Sequence, residues 1–439
     1  MIDLTSWLAP VLGEVEPAPV LGPQRWWPGS LDVEGLALGS VCAAAAAFRE
    51  ISNWEPPVES SRVAASFASG SYLRVDGRPV PQFSPLSAFF RCADGWIRTH
   101  ANYPHHEAAL LTTLGVAADP KAVAEAFTTL SAVEAEQAVR AAGGVAAAVR
   151  TPEEWAGSEP GLTVAEEPWI RFELADRPRT PRTDLPGTRV LDLTRTLAGP
   201  VATRFLGAIG SDVLRVDPPQ LPELIIHHLD GGLDKRVAVA DLAEQADAVH
   251  TLLEEADVLI TGYRPGSLDR FGLDWASISE RHPGLSLITL DAWGDRGPWG
   301  RERGFDSVVQ AATGIAHRYG TGEGDAWTPG ALPVQALDHA TGYGVAAAAI
   351  ALMGRAEGPG WAHLSLARTA HELLSAPAPE GRPEPQLSER RHVPTGYGTV
   401  TFVVPPLLQM EYRNPPGEIG GAELEWREVV EEEEDDHHH

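Results

Sequence analysis

Basic charge, lysine and cysteine are all scarce in this sequence of 439 residues. Lysine and arginine together number 34 against 61 aspartates and glutamates, a formal net charge of −27. So acidic a surface repels phosphate backbones and anionic lipid, which argues against general nucleic-acid or membrane-surface binding. Only two lysines occur, Lys121 and Lys235, so a local basic site must be built chiefly from arginine. The two cysteines, Cys42 and Cys92, cannot make a disulfide framework, and the N-terminus lacks a basic stretch followed by an apolar run. The expectation is a reduced, cytoplasmic protein. Long apolar runs are missing too: Val345 to Met353 is about half of the ~20 residues a membrane-spanning helix needs.

The length, by contrast, exceeds what one ordinary core accommodates and predicts two or more domains. Prolines and glycines, 37 and 43 in number, punctuate them. Residues 176–187 (DRPRTPRTDLPG) read as the main linker, and Ala376 to Gln386 (APAPEGRPEPQ) ends whatever precedes it. Between them strands and helices alternate. The strands are Arg189–Thr194, Asp212–Val216, Asp257–Thr261, Leu285–Leu290 and His363–Leu366. The helices are Gly199–Gly210, Leu242–Glu255, Trp275–Arg281, Phe305–Ala316 and His339–Met353. That alternation predicts an α/β fold, an open doubly wound, Rossmann-like parallel sheet over 188–375. A smaller α+β domain is predicted over 83–180, opening with two strands around Ala93-Asp94-Gly95. Residues 376–427 form a C-terminal extension, and 428–439, with six consecutive acids and three histidines, a disordered tail.

Residues 1–82 carry a faint repeat of the large domain's end. Leu31-Asp32 with its Ala-rich follower echoes Leu337-Asp338, and Ser61-Arg62-Val63-Ala64 echoes Ala367-Arg368-Thr369-Ala370, both at an offset of 306.

In an open parallel sheet, ligands bind beyond the carboxyl ends of the strands. Three loops stand out there. Thr194-Arg195-Thr196-Leu197-Ala198-Gly199-Pro200 leads into a helix whose amino end favours anions, though it could equally be a tight turn. Arg264, in Tyr263-Arg264-Pro265-Gly266, suits bidentate phosphate contact or a surface ion pair. Arg215 and Lys235-Arg236 are placed near the same edge. Asp338 heads an Ala-rich helix, where it is either an N-cap or a nucleophile towards an acyl group. The pairs His105-His106 and His227-His228 lack metal-ligand spacing, so no metal site is expected.

In order, VLDLTRTLAGPVATRFLGAIGSDVLRVDPP, ADVLITGYRPGSLDRFGLD, LITLDAWGDRGPW, RGFDSVVQAATG and LDHATGYGVAAA resemble the class III coenzyme A transferases, the CaiB/BaiF type that includes formyl-CoA transferase and carnitine CoA-transferase. FSPLSAFFRCADGWIRTHANYP resembles that family's small domain, here placed before the large one. The resemblance implies an enzyme that moves CoA from an acyl-CoA to a carboxylic acid, with CoA as substrate and no permanently bound cofactor. Asp338 falls on the family's catalytic aspartate, which forms an acyl anhydride and then an aspartyl-CoA thioester. Arg264 falls on a CoA-phosphate contact, and Arg195, Ala198 and Gly199 fall on the loop lining the channel. Arg215, Lys235 and Arg236 complete the predicted CoA-binding set.

The sequence departs from the family at Gly232-Leu233-Asp234-Lys235-Arg236, where Asn-Arg-Gly-Lys-Arg is usual, and it has no glycine-rich run to close over the intermediate. Related α-methylacyl-CoA racemases carry histidine where this chain has Phe305, in Gly304-Phe305-Asp306, which favours transfer over racemisation. A non-catalytic CoA-binding relative is the third alternative. Family members form an interlocked ring dimer; a reordered chain need not, and a homodimer stays an open expectation.

Overall fold

The computed structural model of the chain describes residues 1–52 and 54–427; the expected acidic tail lies outside the described residues. The expected alternation folds into one seven-stranded sheet. Its strands in chain order are β1 (Arg171–Leu174), β2 (Arg189–Leu193), β3 (Asp212–Asp217), β4 (Lys235–Val239), β5 (Val258–Thr261), β6 (Ser286–Asp291) and β7 (Gly360–Ser365). They lie in the order β4-β3-β2-β5-β6-β7-β1. All neighbours are parallel except β1, which runs antiparallel to β7. The chain therefore leaves β2 in one direction across the sheet and resumes at β5 in the other, and the loops after β2 and β5 are neighbours.

Alternating side chains fill both faces. Val190, Val213, Val258 and Ile288 point into the larger core, while Leu191, Leu214, Leu259 and Leu287 point into a second core with Val249, Leu252 and Ile278. Strands buried on both sides read as continuous apolar runs, which is how VLDL and VLIT are written. Mixed α/β architecture is thus observed.

Among the helices, α1 (Val33–Ile51), α2 (Ser60–Phe67), α3 (Ala198–Ala208), α4 (Asp306–Ala312), α5 (Ala336–Met353) and α6 (Leu366–Ser375) bear on the site. Every residue of α5 is buried. A helix apolar all round needs cover on all sides, and α1, α3, α6 and the sheet supply it. Gly342 lets α3 come close: a Cβ there would stand 2.5 Å from the Ala198 carbonyl oxygen. The amino ends of α3 and α5 are thereby brought together.

The predicted helix Phe305–Ala316 is two helices, interrupted at Gly314 with φ +92°. The stretch read as a linker is no loose tether. Amides of Ala175, Arg177, Arg179 and Arg182 bond to carbonyls of Pro359, Glu357, Ala356 and Met353, strapping it along β7 and the end of α5. The expected small unit has its own three-stranded sheet (Phe89–Arg91, Trp96–Thr99, Ala146–Ala148) and core, but its last strand, β1, belongs to the large sheet. The C-terminal extension folds back on the start of the chain. Its hairpin Arg390–Thr395 and Gly398–Val403 pairs with Arg74–Val75 of the N-terminal segment. Among the described residues no helix is long and apolar enough to cross a membrane. Cys42 and Cys92 are free and buried, and burial pushes their thiols up to about 12 and about 11.

Candidate active site

The loop after β2 is pinned from beneath. Asp192 is buried, and its Oδ1 accepts from the Thr194 amide at 2.9 Å and the Thr194 hydroxyl at 2.6 Å, while Oδ2 accepts from Thr203 and from Lys235 Nζ at 3.2 Å. Thr196 takes φ +70°, which a β-branched residue adopts only under constraint. The constraint is Glu223. Its Oε2 accepts from the Thr196 amide at 2.8 Å and from Arg215 at 3.4 Å, and its Oε1 from the Tyr103 hydroxyl at 2.7 Å. Burial would raise this carboxyl, but His227, Arg215, Arg195 and the Thr196 amide together hold it at about 2. Gly199 is sterically required, since a Cβ there would lie 2.2 Å from Thr194.

Asp338 proves not to be the N-cap. It is the third residue of α5, and the cap position belongs to Gln335, which makes no side-chain cap bond. The helix is capped from outside: Asp306, the first residue of α4, accepts from the amides of Leu337 at 2.9 Å and Asp338 at 3.0 Å. Gln310 holds its other oxygen. Because a neighbouring carboxylate does the capping, that of Asp338 is not consumed by its own backbone. Burial and then the Asp306 charge push the Asp338 carboxyl well above the usual carboxylate range.

Asp338 opens on a cavity of about 520 Å³. Arg195, Ala198 and Arg264 line it with Asp338, as do four residues that the sequence reading gave no role: Tyr103, His105, His106 and Arg303. Tyr103, His105 and His106 arrive from the small unit, so two units of one chain close around the same space. Arg195 packs over Tyr103 at 5.1 Å and sits 3.8 Å from Glu223. Among the described residues no carboxylate lies within ion-pair distance of Arg264 or Arg303; Arg264 has one long hydrogen bond, 3.4 Å, to the Arg301 carbonyl. Burial, then His105, Arg303 and Arg195, push the His106 imidazole down to about 3, so it is neutral. Phe305 stacks on His100 with centroids 3.8 Å apart.

The rest of the predicted CoA-binding set goes elsewhere. Gly199 does not line the cavity but makes the turn possible. Arg215 is fully buried against Asp217 at 2.8 Å and Glu223. Lys235 is buried against Asp192 and the Pro200 carbonyl. Arg236 pairs with Asp212 at the amino ends of the strands, away from the cavity. The expectation of one basic edge is corrected here: these three cations neutralise carboxylates of the chain itself, which an acidic interior requires. Among the described residues no cluster of His, Cys, Asp or Glu could hold a metal.

Residues 185–392, which include Asp338, Asp306 and both loops, match the model of CoA-transferase family III. That stretch, just under half of the chain, is similar to this family. It is 30% identical over 246 residues to the probable fatty acyl-CoA transferase Rv3272 of Mycobacterium tuberculosis, covering 50% of this chain and 62% of that one. It is 31% identical over 172 residues to the human succinyl-CoA:glutarate CoA-transferase, 36% of this chain and 39% of the relative. The crystal structure of Rv3272 in its orthorhombic form is similar over 45% of this chain and 57% of that one, at 29% identity and a TM-score of 0.41. The chain thus spans less than two thirds of the length of these relatives.

Proposed function

We propose that the chain transfers coenzyme A from an acyl-CoA thioester to a carboxylic acid, with Asp338 as the nucleophile and CoA as a substrate rather than a resident cofactor. The observation that supports this most is the freed carboxyl of Asp338 facing a cavity with two arginines that have no carboxylate within ion-pair distance among the described residues. The sheet is read as an open doubly wound, Rossmann-like domain, whose strand order reverses between β2 and β5 where ligands of such sheets bind.

In this mechanism an Asp338 carboxylate oxygen attacks the thioester carbonyl, forming a mixed anhydride and releasing CoA thiolate. The thiolate attacks the aspartyl carbonyl; the anhydride breaks, the original acyl group leaves as a carboxylate, and an aspartyl-CoA thioester remains. The acceptor carboxylate then displaces thiolate to form a second anhydride, and thiolate attacks its acceptor carbonyl, giving the new thioester and restoring Asp338. No redox partner is needed, and dividing the exchange gives each step a good leaving group. Arg264 and Arg303 would hold phosphate oxygens of CoA. Arg195, held by Glu223 and Tyr103, would shape the channel. The carboxyl reacts only when ionised, so its raised pKa makes the first step faster as pH rises.

A cytoplasmic setting goes with this reading, as does independence from an interlocked dimer, because one chain supplies both walls of the cavity. Racemisation is disfavoured: Phe305 has no titratable group and is stacked on His100. The deciding experiment incubates the protein with a panel of acyl-CoA thioesters and hydroxylamine and locates the adduct by mass spectrometry. The adduct is expected on Asp338. Full CoA exchange by Asp338→Ala would sink the mechanism, deuterium exchange at the acyl α-carbon without CoA exchange would favour racemisation, and CoA binding with neither activity would leave a non-catalytic relative.

A further inference from the structure

Two polar side chains on the wall of the active-site cavity are buried and make no hydrogen bond among the described residues: Asp338, 6% exposed, and His106, 4% exposed. The transfer mechanism uses only the first. They come from different units, Asp338 from α5 and His106 from the first turn of the small unit's helix Pro104–Leu114. Phe305 joins the two sides. Its ring lies 5.7 Å from that of His106, and the next residue, Asp306, holds the Asp338 amide at 3.0 Å. No ion pair closes the space between His106 and Asp338, which leaves it to substrate.

On its helix His106 shares a face with Leu110, which belongs to the small unit's core. A histidine so placed is ordinarily satisfied by a neighbouring group. Here Nδ1 is sealed off without a partner, so Nε2 is the nitrogen that reaches the cavity. A proton on Nδ1 would orphan a buried N–H, which proteins rarely tolerate; the neutral ring therefore carries its proton on Nε2. Burial, then His105, Arg303 and Arg195, keep the ring neutral. His106 thus presents one N–H donor at every pH at which Asp338 is ionised. Several other donors around the cavity are committed: the Leu337 and Asp338 amides to Asp306, the Tyr103 hydroxyl and Thr196 amide to Glu223. His339, next to Asp338 in sequence, faces a separate cavity of about 320 Å³.

We propose that His106 is a further catalytic residue, whose Nε2–H donates to the carbonyl oxygen of the thioester that Asp338 attacks. As an Asp338 oxygen bonds to the thioester carbon, the carbonyl π pair moves onto oxygen, and the N–H stabilises that charge without giving up its proton. When the C=O re-forms, the C–S bond breaks and CoA leaves as thiolate. This rests on the transferase reading of Asp338.

The test is His106→Phe, which removes the donor and keeps a buried ring; His106→Leu substitutes if it does not fold. Single-turnover labelling of Asp338 under hydroxylamine, with acetyl-, butyryl-, octanoyl- and succinyl-CoA, separates the maximal rate from the half-saturating concentration. The maximal rate should fall about a hundredfold or more, the size of one oxyanion donor, while half-saturation stays within about twofold. His106→Gln, which returns a neutral N–H donor, should recover much of the rate. Across pH, wild type and His106→Phe should rise with one midpoint and differ only in height, because the ring is neutral throughout. An undiminished rate overturns the proposal. So does a change in half-saturation alone, which would make His106 a binding contact to CoA, or a moved midpoint, which would make it an acid or base. A wild type that no thioester labels fails the transferase reading and this assignment together; a labelled wild type matched by His106→Phe fails this assignment alone.

Discussion

Glu223→Gln tests whether the active-site loop is held by the cluster that the structure places beneath it. All four of its close partners are donors: the Tyr103 hydroxyl, the amides of Thr196 and Leu224, and Arg215. Glutamine keeps one acceptor oxygen and sets an NH2 group against donors whichever way it is turned. One charge-assisted bond is lost and at least one buried donor is orphaned, together about 3–5 kcal/mol. The depressed pKa gives a figure of similar size. The carboxyl is buried and its pKa falls from 4.5 to about 2 on folding, which corresponds to about 3 kcal/mol. Because the folded value is the lower one, that stability is fully present above pH 4.5 and is lost as pH falls towards 2. The wild type should therefore lose stability to urea across this window, while Glu223→Gln should start lower at pH 7 and show a shallower acid limb. Its affinity for CoA should also fall, since Thr196 loses what holds its left-handed backbone. An unchanged urea midpoint together with an unchanged acid limb would refute the reasoning.

Lys235→Met separates a structural cation from a ligand-binding one: it leaves Asp192 buried without its ion pair, so it should destabilise by about 3–5 kcal/mol in urea while the folded fraction binds CoA as before. Lost CoA affinity at undiminished stability would return Lys235 to the binding set. Asp306→Asn removes the like charge beside Asp338, so the pH dependence of hydroxylamine-trapped adduct, which rises with pH in the wild type, should move towards lower pH; a curve moved the other way would mean that Asp306 acts on Asp338 in some way other than by charge.

Periodicity made the large sheet legible because strands buried on both faces and Ala-rich helices leave strong local signals. Helices Leu242–Glu255 and Trp275–Arg281 appear as read. β4 escaped notice because Lys235 and Arg236 looked like a solvent-facing basic patch, when one is a buried counter-ion and the other an edge pair to Asp212. A charge's partner is a tertiary fact. The same limit hid Tyr103 and His106, which sit in a segment readable as small-domain strand and helix but line the cavity only because that unit packs against the loop after β2 and against α4. Asp338 was visible as a chemically capable residue, yet what distinguishes it from a cap is Asp306, thirty-two residues earlier, and no local pattern expresses that relation.

The internal repeat gives the sharpest contrast between having a residue and having a site. At the offset of 306, α1 corresponds to α5 and α2 to α6. Val58 falls at this offset on Leu364 of β7, but its strand partner Val20 does not fall on Leu290, the partner of Leu364. The two segments pack together, α1 lying along α5. Asp32 nevertheless differs from Asp338. It occupies the N-cap position and spends its carboxylate on the Gly35 amide at 2.9 Å. Neither cavity described above has it in its wall. The first segment contributes apolar surface that lets α5 stay buried along its whole length, while α5 carries the carboxyl that opens on the cavity. Asparagine caps helices as well as aspartate does, so Asp32→Asn should leave both the urea midpoint and the yield of Asp338 adduct intact. Loss of adduct without loss of stability would show that the first copy takes part in the chemistry.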